Sequence, residues 1–259
     1  MVMPETHRKL SASEDLHSSL CELDSVSPTA HEALSVSDLR KAFPSPSGEK
    51  IEVLRGVSFS VKPSEAVVIT GASGAGKSTL LHLLGGLEPS DHGRILVEGY
   101  SIDTSSPAAM ARFRNQKIGF VFQFHHLLPD LTAVENVAMP LMIGRRGRRV
   151  ALALAREELV RVGLADRVAY PVGHLSGGEQ QRVAVCRALI SGPVLVLADE
   201  PTGNLDPAIA EEIGDILVSY AHKRGAMVVL ATHDERLAGL CDRRLTLRDG
   251  RLRSNRGLK

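Results

Sequence analysis

Hydrophobic and polar positions alternate in two early stretches, residues 34–41 and 51–61, and both read as strands. In the second, Val57, Phe59 and Val61 face one way, and Pro44, Pro46 and Gly48 mark the turn between the two. The pattern then changes to short, unbroken apolar runs. Ala66–Thr70 (AVVIT), Val194–Ala198 (VLVLA) and Met227–Ala231 (MVVLA) suit strands buried on both faces. Arg94–Val97 and Ile118–Phe122 are further strand candidates. Helical spacing predicts a helix from Lys77 to Leu84 and another from Pro207 to about Lys223. Thr132 and Glu135 form a capping box that opens a helix through Ile143. A further helix runs from about Val150 until Gly163 stops it. Asp249-Gly250 closes a terminal hairpin. Strands that alternate with helices imply an α/β fold with a mainly parallel sheet covered on both faces.

The first 33 residues carry no such periodicity. They are Ser-rich and, with six acidic and two basic residues, net −4; they read as a disordered tail. The whole chain is +1 over 259 residues, so the rest is only mildly basic at +5. That balance, with 3% aromatics and no Trp, argues against a nucleic-acid surface. Cys21, Cys186 and Cys241 are far apart, which indicates neither a disulfide framework nor a zinc site. No apolar run approaches the roughly 18 residues of a membrane span, and the N-terminus lacks the apolar stretch of a secretory signal. The chain reads as soluble and cytoplasmic, with any membrane role exercised through a partner.

Two segments carry phosphate chemistry. Gly71-Ala72-Ser73-Gly74-Ala75-Gly76-Lys77-Ser78-Thr79 follows a strand and opens a helix, where a phosphate-binding loop must sit. Its glycines let backbone N–H groups curl around phosphate oxygens, and the helix N-terminus adds partial positive charge. Lys77 can reach the β and γ phosphates, Ser78 can ligate Mg²⁺, and Thr79 can bond the α-phosphate. The second segment ends the VLVLA strand in Asp199 and Glu200. Asp199 is placed to hold Mg²⁺ through water, and Glu200 to act as general base on an attacking water. An N-K-x-D guanine motif is absent, which disfavours a GTPase.

The discriminating run is Leu175-Ser176-Gly177-Gly178-Glu179-Gln180-Gln181-Arg182. Locally it is a capping box, Ser176 with Glu179. A cap alone needs neither glycine, and the pair suits exposed N–H groups at a second anion site. LSGGE is the signature of ATP-binding cassette (ABC) ATPases, and residues 34–259 resemble that family throughout. The resemblance implies a RecA-like P-loop NTPase core formed by 34–123 and 191–259. It adds an N-terminal antiparallel β-subdomain and an α-helical subdomain inserted at 124–190. It also implies that Phe43, where Tyr is usual, stacks on adenine, and that Gln123 senses Mg²⁺ and the water. His233 then faces the γ-phosphate, and Gly203-Asn204-Leu205-Asp206 crosses between subunits. Asp206 before Pro207 reads equally as a plain N-cap. Two copies would pair head to tail. Each ATP would lie between the Lys77 loop of one and Ser176, Gly177, Gly178 and Glu179 of the other.

Gly119–Leu141, above all His125-His126-Leu127-Leu128-Pro129-Asp130, looks very like the ATP-binding subunits of bacterial lipoprotein-releasing systems. Macrolide-type efflux and cell-division ATPases share the catalytic motifs and stand as the alternative. Gln180, where Arg is common, and Cys186, where Ala is typical, depart from the pattern; Cys186 reads as packed rather than reactive. Adjacent histidines suit one metal poorly. The segment from Gln123 to Leu131, with Leu127, Leu128 and Leu131, reads instead as a docking surface for integral membrane subunits. That places the chain at the cytoplasmic face of the inner membrane. The Arg145–Arg149 run reads as a solvated loop in preference to a lipid contact.

Overall fold

The computed structural model of the protein describes residues 34–46, 48–103, 105–203 and 205–254. The expected tail over residues 1–33 lies outside them, as does Asn204. The first sheet joins β1 (Leu34–Pro44), β2 (Lys50–Val61), β4 (His92–Val97) and β5 (Tyr100–Ser101) in the order β2-β1-β4-β5, antiparallel throughout. Strict alternation fails inside β2, because Leu54 and Val57 are both buried although three positions apart. A bulge resolves the conflict. The β1–β2 register shifts between Val36 and Leu39, and Gly56 takes φ +83° where a Cβ would lie 2.7 Å from the Asp38 carboxylate.

The second sheet contains β3 (Ala66–Thr70), β6 (Ile118–Phe122), β7 (Leu195–Asp199), β8 (Met227–Ala231), β9 (Arg243–Arg248) and β10 (Arg251–Ser254). Its order is β10-β9-β3-β8-β7-β6, all parallel except the terminal β9–β10 hairpin at Asp249-Gly250. β3 and β8 have almost no polar face, because helices cover both sides of the sheet.

Seven α-helices are described: α1 (Lys77–Leu84), α2 (Pro107–Lys117), α3 (Ala133–Ile143), α4 (Arg148–Arg161), α5 (Gly177–Leu189), α6 (Pro207–Arg224) and α7 (Glu235–Leu240). α4 starts at Arg148, ahead of the expected Val150, so Arg148 and Arg149 of the basic run form its first turn. Arg148 pairs there with Glu135 at 2.9 Å. α2 has no apolar stripe to announce it, since Met110 is its one buried residue; Ser106 caps it and Pro107 opens it. Gly225 in the left-handed region ends α6.

Three apolar clusters hold these layers. One lies between the antiparallel sheet, α1 and one face of the parallel sheet. A second lies between the other face, α6 and α7. The third joins α3, α4 and α5. α5 contributes Val185 and Ala188 to the second cluster and Val183 and Cys186 to the third. Its end closes on β6 so tightly that a Cβ on Gly119 would lie 2.5 Å from the Ala188 carbonyl. Gly119→Ala is therefore expected to lower stability by about 1–3 kcal/mol through overpacking, read as an earlier midpoint in urea unfolding.

Candidate nucleotide site

The parallel sheet delivers several chemical groups to one edge, because ligand groups in open α/β sheets gather at the carboxyl ends of strands. β3 runs into the Gly71–Lys77 loop, β6 into Gln123, β7 into Asp199-Glu200, and β8 into Thr232-His233. Phe43 arrives from β1 of the other sheet. Phe43, Lys77, Gln123, Asp199, Glu200 and His233 line an open cleft of about 750 Å³ with Val53, Gly71, Ala72, Ser73, Gly74, Gly76, Ser78 and Thr79, and Thr232 is buried behind it. Ala75 faces a neighbouring hollow on the other side of the loop.

Two glycines of the loop are required by close approach. A Cβ on Gly71 would lie 2.4 Å from the Leu247 carbonyl, and one on Gly76, at φ +98°, would lie 2.8 Å from Val53. Gly76 is also the N-cap of α1, and no side chain caps that helix. Its first N–H groups are thus left for an anion. Lys77, 9% exposed, folds its ammonium back onto the carbonyls of Gly71 (2.9 Å) and Ala72 (3.3 Å).

The two carboxylates differ sharply. Asp199 Oδ1 is buried without a hydrogen-bond partner. Glu200 is fully engaged: Oε2 accepts from Thr232 Oγ1 (3.0 Å) and the His233 N–H (3.3 Å), and Oε1 lies 3.0 Å from His233 Nδ1. Glu200 stands at φ +44°, a strained backbone for a side chain that is not glycine. Its own N–H donates to Ala231 (2.8 Å) and its carbonyl accepts from Gly203 (3.0 Å), which holds the strain in place.

Ser176, Gly177, Gly178, Glu179 and Asp206 do not line this cleft. Ser176 and Glu179 form a complete capping box on α5. The Ser176 N–H holds the Glu179 carboxyl below the usual range, with the Ser176 hydroxyl and Arg167 acting the same way. Gly177 is open to solvent, but Gly178 is buried, and its Cβ would meet Ile209 of α6 at 2.6 Å. Close helix packing, not exposure, explains the second glycine. Asp206 caps α6 by accepting from the Ala208 and Ile209 N–H groups (3.1 Å each).

The loop after Gln123 is anchored from inside. Arg187 of α5 donates to the carbonyls of His125 and His126 (2.7 Å each). Asn136, fully buried, accepts from the Leu128 N–H and donates to the carbonyls of Leu128, Leu131 and Thr132. Burial holds His125 below the ordinary imidazole range, against a Gly177 backbone bond that works the other way. Leu127, expected at the surface, turns in against the α3–α5 cluster, while Phe124 (69% exposed) and Leu128 (45%) stay outside. No three-residue His, Cys, Asp or Glu cluster suited to a metal occurs among the described residues. Val53, Thr232, Gln181 and Arg187 carried no sequence signal, because their partners are distant in the chain; Asn136 bonds residues only four to eight positions away, but an asparagine in a helical stretch carries no mark of that. Cys186 packs in the helical cluster, and burial pushes its thiol up to about 12.

Residues 54–203 match the ABC transporter family. The chain is 50% identical over 220 residues to the lipoprotein-releasing system ATP-binding protein LolD of Geobacter metallireducens, covering 85% of this chain and 97% of that one. It is 52% identical over 203 residues to LolD of Myxococcus xanthus, covering 78% and 91%. The ATP-binding cassette MJ0796 was solved as a dimer in a post-hydrolysis state bound to ADP and Pi; it superposes with a TM-score of 0.80 at 34% identity over 87% of this chain and all of that one. A second dimeric structure of MJ0796 gives 0.80 at 36% with the same coverage. The parallel-sheet core, the antiparallel sheet and the helical layer are the architecture these cassettes share, and the chain belongs to the ATP-binding cassette family of transporter ATPases.

Proposed function

We propose that this ATPase drives the release of lipoproteins from the inner membrane toward the outer membrane, as a head-to-tail pair of copies beneath integral membrane subunits. The observation that carries this reading is the 50% identity to LolD, spread over 97% of that protein. No helix among the described residues is long and apolar enough to cross a membrane; in this reading the span lies on the partner subunits. The chain would then sit at the cytoplasmic face of the inner membrane.

ATP enters with its adenine against Phe43 and its phosphates in the Gly71–Thr79 loop. Lys77 exchanges the Gly71 and Ala72 carbonyls for phosphate oxygens. The donor set fits Mg²⁺: a buried, partnerless Asp199 oxygen faces the same cleft as the Ser78 hydroxyl and Gln123. A hard ion bound by few protein oxygens needs no dedicated cage. Ser78 would ligate it, Asp199 would hold it through water, and Gln123 would sense it. Bound there, the ion would supply neutralisation of the phosphate charge. Glu200 takes a proton as the water oxygen bonds to the γ-phosphorus and the bond to the bridging oxygen breaks. His233 keeps the Glu200 carboxylate aimed and presents its other face to the γ-phosphate. Ser176, Gly177, Gly178 and Glu179 of the second copy close the opposite side, and Asp206 lies at the crossing. ATP thus joins the pair, and its hydrolysis frees it.

Phe124 and Leu128 offer exposed apolar contacts beside a groove lined by Leu87, Phe122 and Ile143. A short amphipathic helix from the membrane subunits suits that groove.

Glu200→Gln should cut kcat at least about 100-fold while leaving an ATP-dependent dimer visible by size-exclusion chromatography. Hydrolysis at the wild-type rate would show that Glu200 is not the base. Affinity capture with the wild-type chain from native membranes should recover lipoprotein-release membrane subunits; recovery of efflux or cell-division subunits instead would overturn the transport assignment. Phe124→Asp with Leu128→Asp should abolish that capture, and retained capture would move the docking surface elsewhere.

A further inference from the structure

α5 carries a buried polar side chain that neither the cap nor the cleft explains. Gln181 is 1% exposed, one helical turn, or about 6 Å along the axis, beyond the Gly177 start of the helix. Its Nε2 donates to the Pro201 carbonyl (2.5 Å) and to the Phe122 carbonyl (3.5 Å). Both acceptors are backbone groups, so the nitrogen must face them. The amide oxygen is buried without a partner. Phe122 directly precedes Gln123, and Pro201 directly follows Glu200. The two loops also touch directly, since a Cβ on Gly203 would lie 2.8 Å from the Gln123 amide. One buried amide therefore joins the helix that begins at the signature to the backbone beside both the water-sensing residue and the base.

We propose that Gln181 is a positioning residue that couples the two ATP sites of the pair. This rests on the head-to-tail reading above. In that arrangement the signature end of α5 faces the ATP held by the other copy, whereas Gln123 and Glu200 serve the ATP of their own chain. Gln181 links the two within one chain. Displacement of the signature turn by the opposite γ-phosphate is carried through the amide to the Phe122 and Pro201 carbonyls. It thereby sets Gln123 and Glu200 for hydrolysis. The side chain touches neither ATP nor water and acts through those two loops. A leucine or methionine could fill the volume but would leave both carbonyls without a donor.

The test uses the full chain and compares wild type with Gln181→Met and Gln181→Glu. Wild type should hydrolyse ATP with a Hill coefficient above 1 and dimerise with ATP in the Glu200→Gln background. For Gln181→Met, kcat should fall at least about fivefold with KM changed less than about twofold, and the Hill coefficient should fall to about 1. Gln181→Glu separates donation from packing. Burial against two carbonyls raises the introduced carboxyl's pKa, so it stays protonated and donates at low pH. Above that pKa it is charged, donates nothing and repels the carbonyls. The variant-to-wild-type ratio of kcat should therefore fall as pH rises from about 6 to 9, while the ratio for Gln181→Met stays low and flat. Should Gln181→Met fail to fold, the pH profile of Gln181→Glu decides. Undiminished kcat and Hill coefficient in Gln181→Met, a loss of kcat with cooperativity kept, or a flat ratio for Gln181→Glu each overturns the coupling. A wild-type chain with neither ATP-dependent dimer nor cooperativity instead refutes the paired arrangement itself, and the coupling with it.

Discussion

α5 belongs to two cores at once, and the rest of the arrangement depends on it. Val183 and Cys186 sit among the helices, and Val185 and Ala188 sit against the parallel sheet. A close-packed interior does not deform continuously, so a helix wedged between two such interiors can shift only with both. The tight closure of Ala188 on Gly119 removes slack at one end, and the Gly178–Ile209 approach removes it at the other. The signature turn is thus presented by a rigid rod and not by a loop. Arg187 and Asn136 extend the same rigidity to the backbone around His125–Leu131, leaving Phe124 and Leu128 free at the surface.

Much of the fold was legible because the local signals agreed with the tertiary outcome. β6 and β8 occupy the expected runs, and both capping boxes on Thr132 and Ser176 form. The cleft gathers Phe43, Lys77, Gln123, Asp199, Glu200 and His233 from strand ends up to 190 residues apart; motif order, not periodicity, made that readable. What escaped was whatever depends on a distant neighbour. The bulge at Gly56 shifts the phase of β2 without a warning in its alternation. α2 has too few apolar positions to register, since Met110 is its one buried residue and Phe113 and Arg114 add only partly buried contacts. Leu127 and Leu128 are chemically identical, and only the packing of α3–α5 decides that the first turns inward. Gln181 looks like any helix-surface glutamine until carbonyls 20 and 59 positions away close over it.

Strain and burial are distributed unevenly around the site. Glu200 holds an unfavourable backbone, fixed by bonds to Ala231 at the end of β8 and to Gly203 in its own loop. The cost of such a conformation, on the order of 1–3 kcal/mol, persists only where surrounding structure determines it. Here the dense β7–β8 pairing does so. Cys186 and Cys241 are kept out of this chemistry, with burial pushing both thiols up to about 12.

The folded-back ammonium of Lys77 gives the loop a resident cation before any phosphate arrives. Because the positive group holds two carbonyls, it pins the backbone at the start of the loop and helps to fix its shape. A newcomer must offer more negative charge than two amide oxygens to win the ammonium away. The competition favours groups dense in negative charge over neutral ones, and so ties the position of one ammonium to the charge of what occupies the loop.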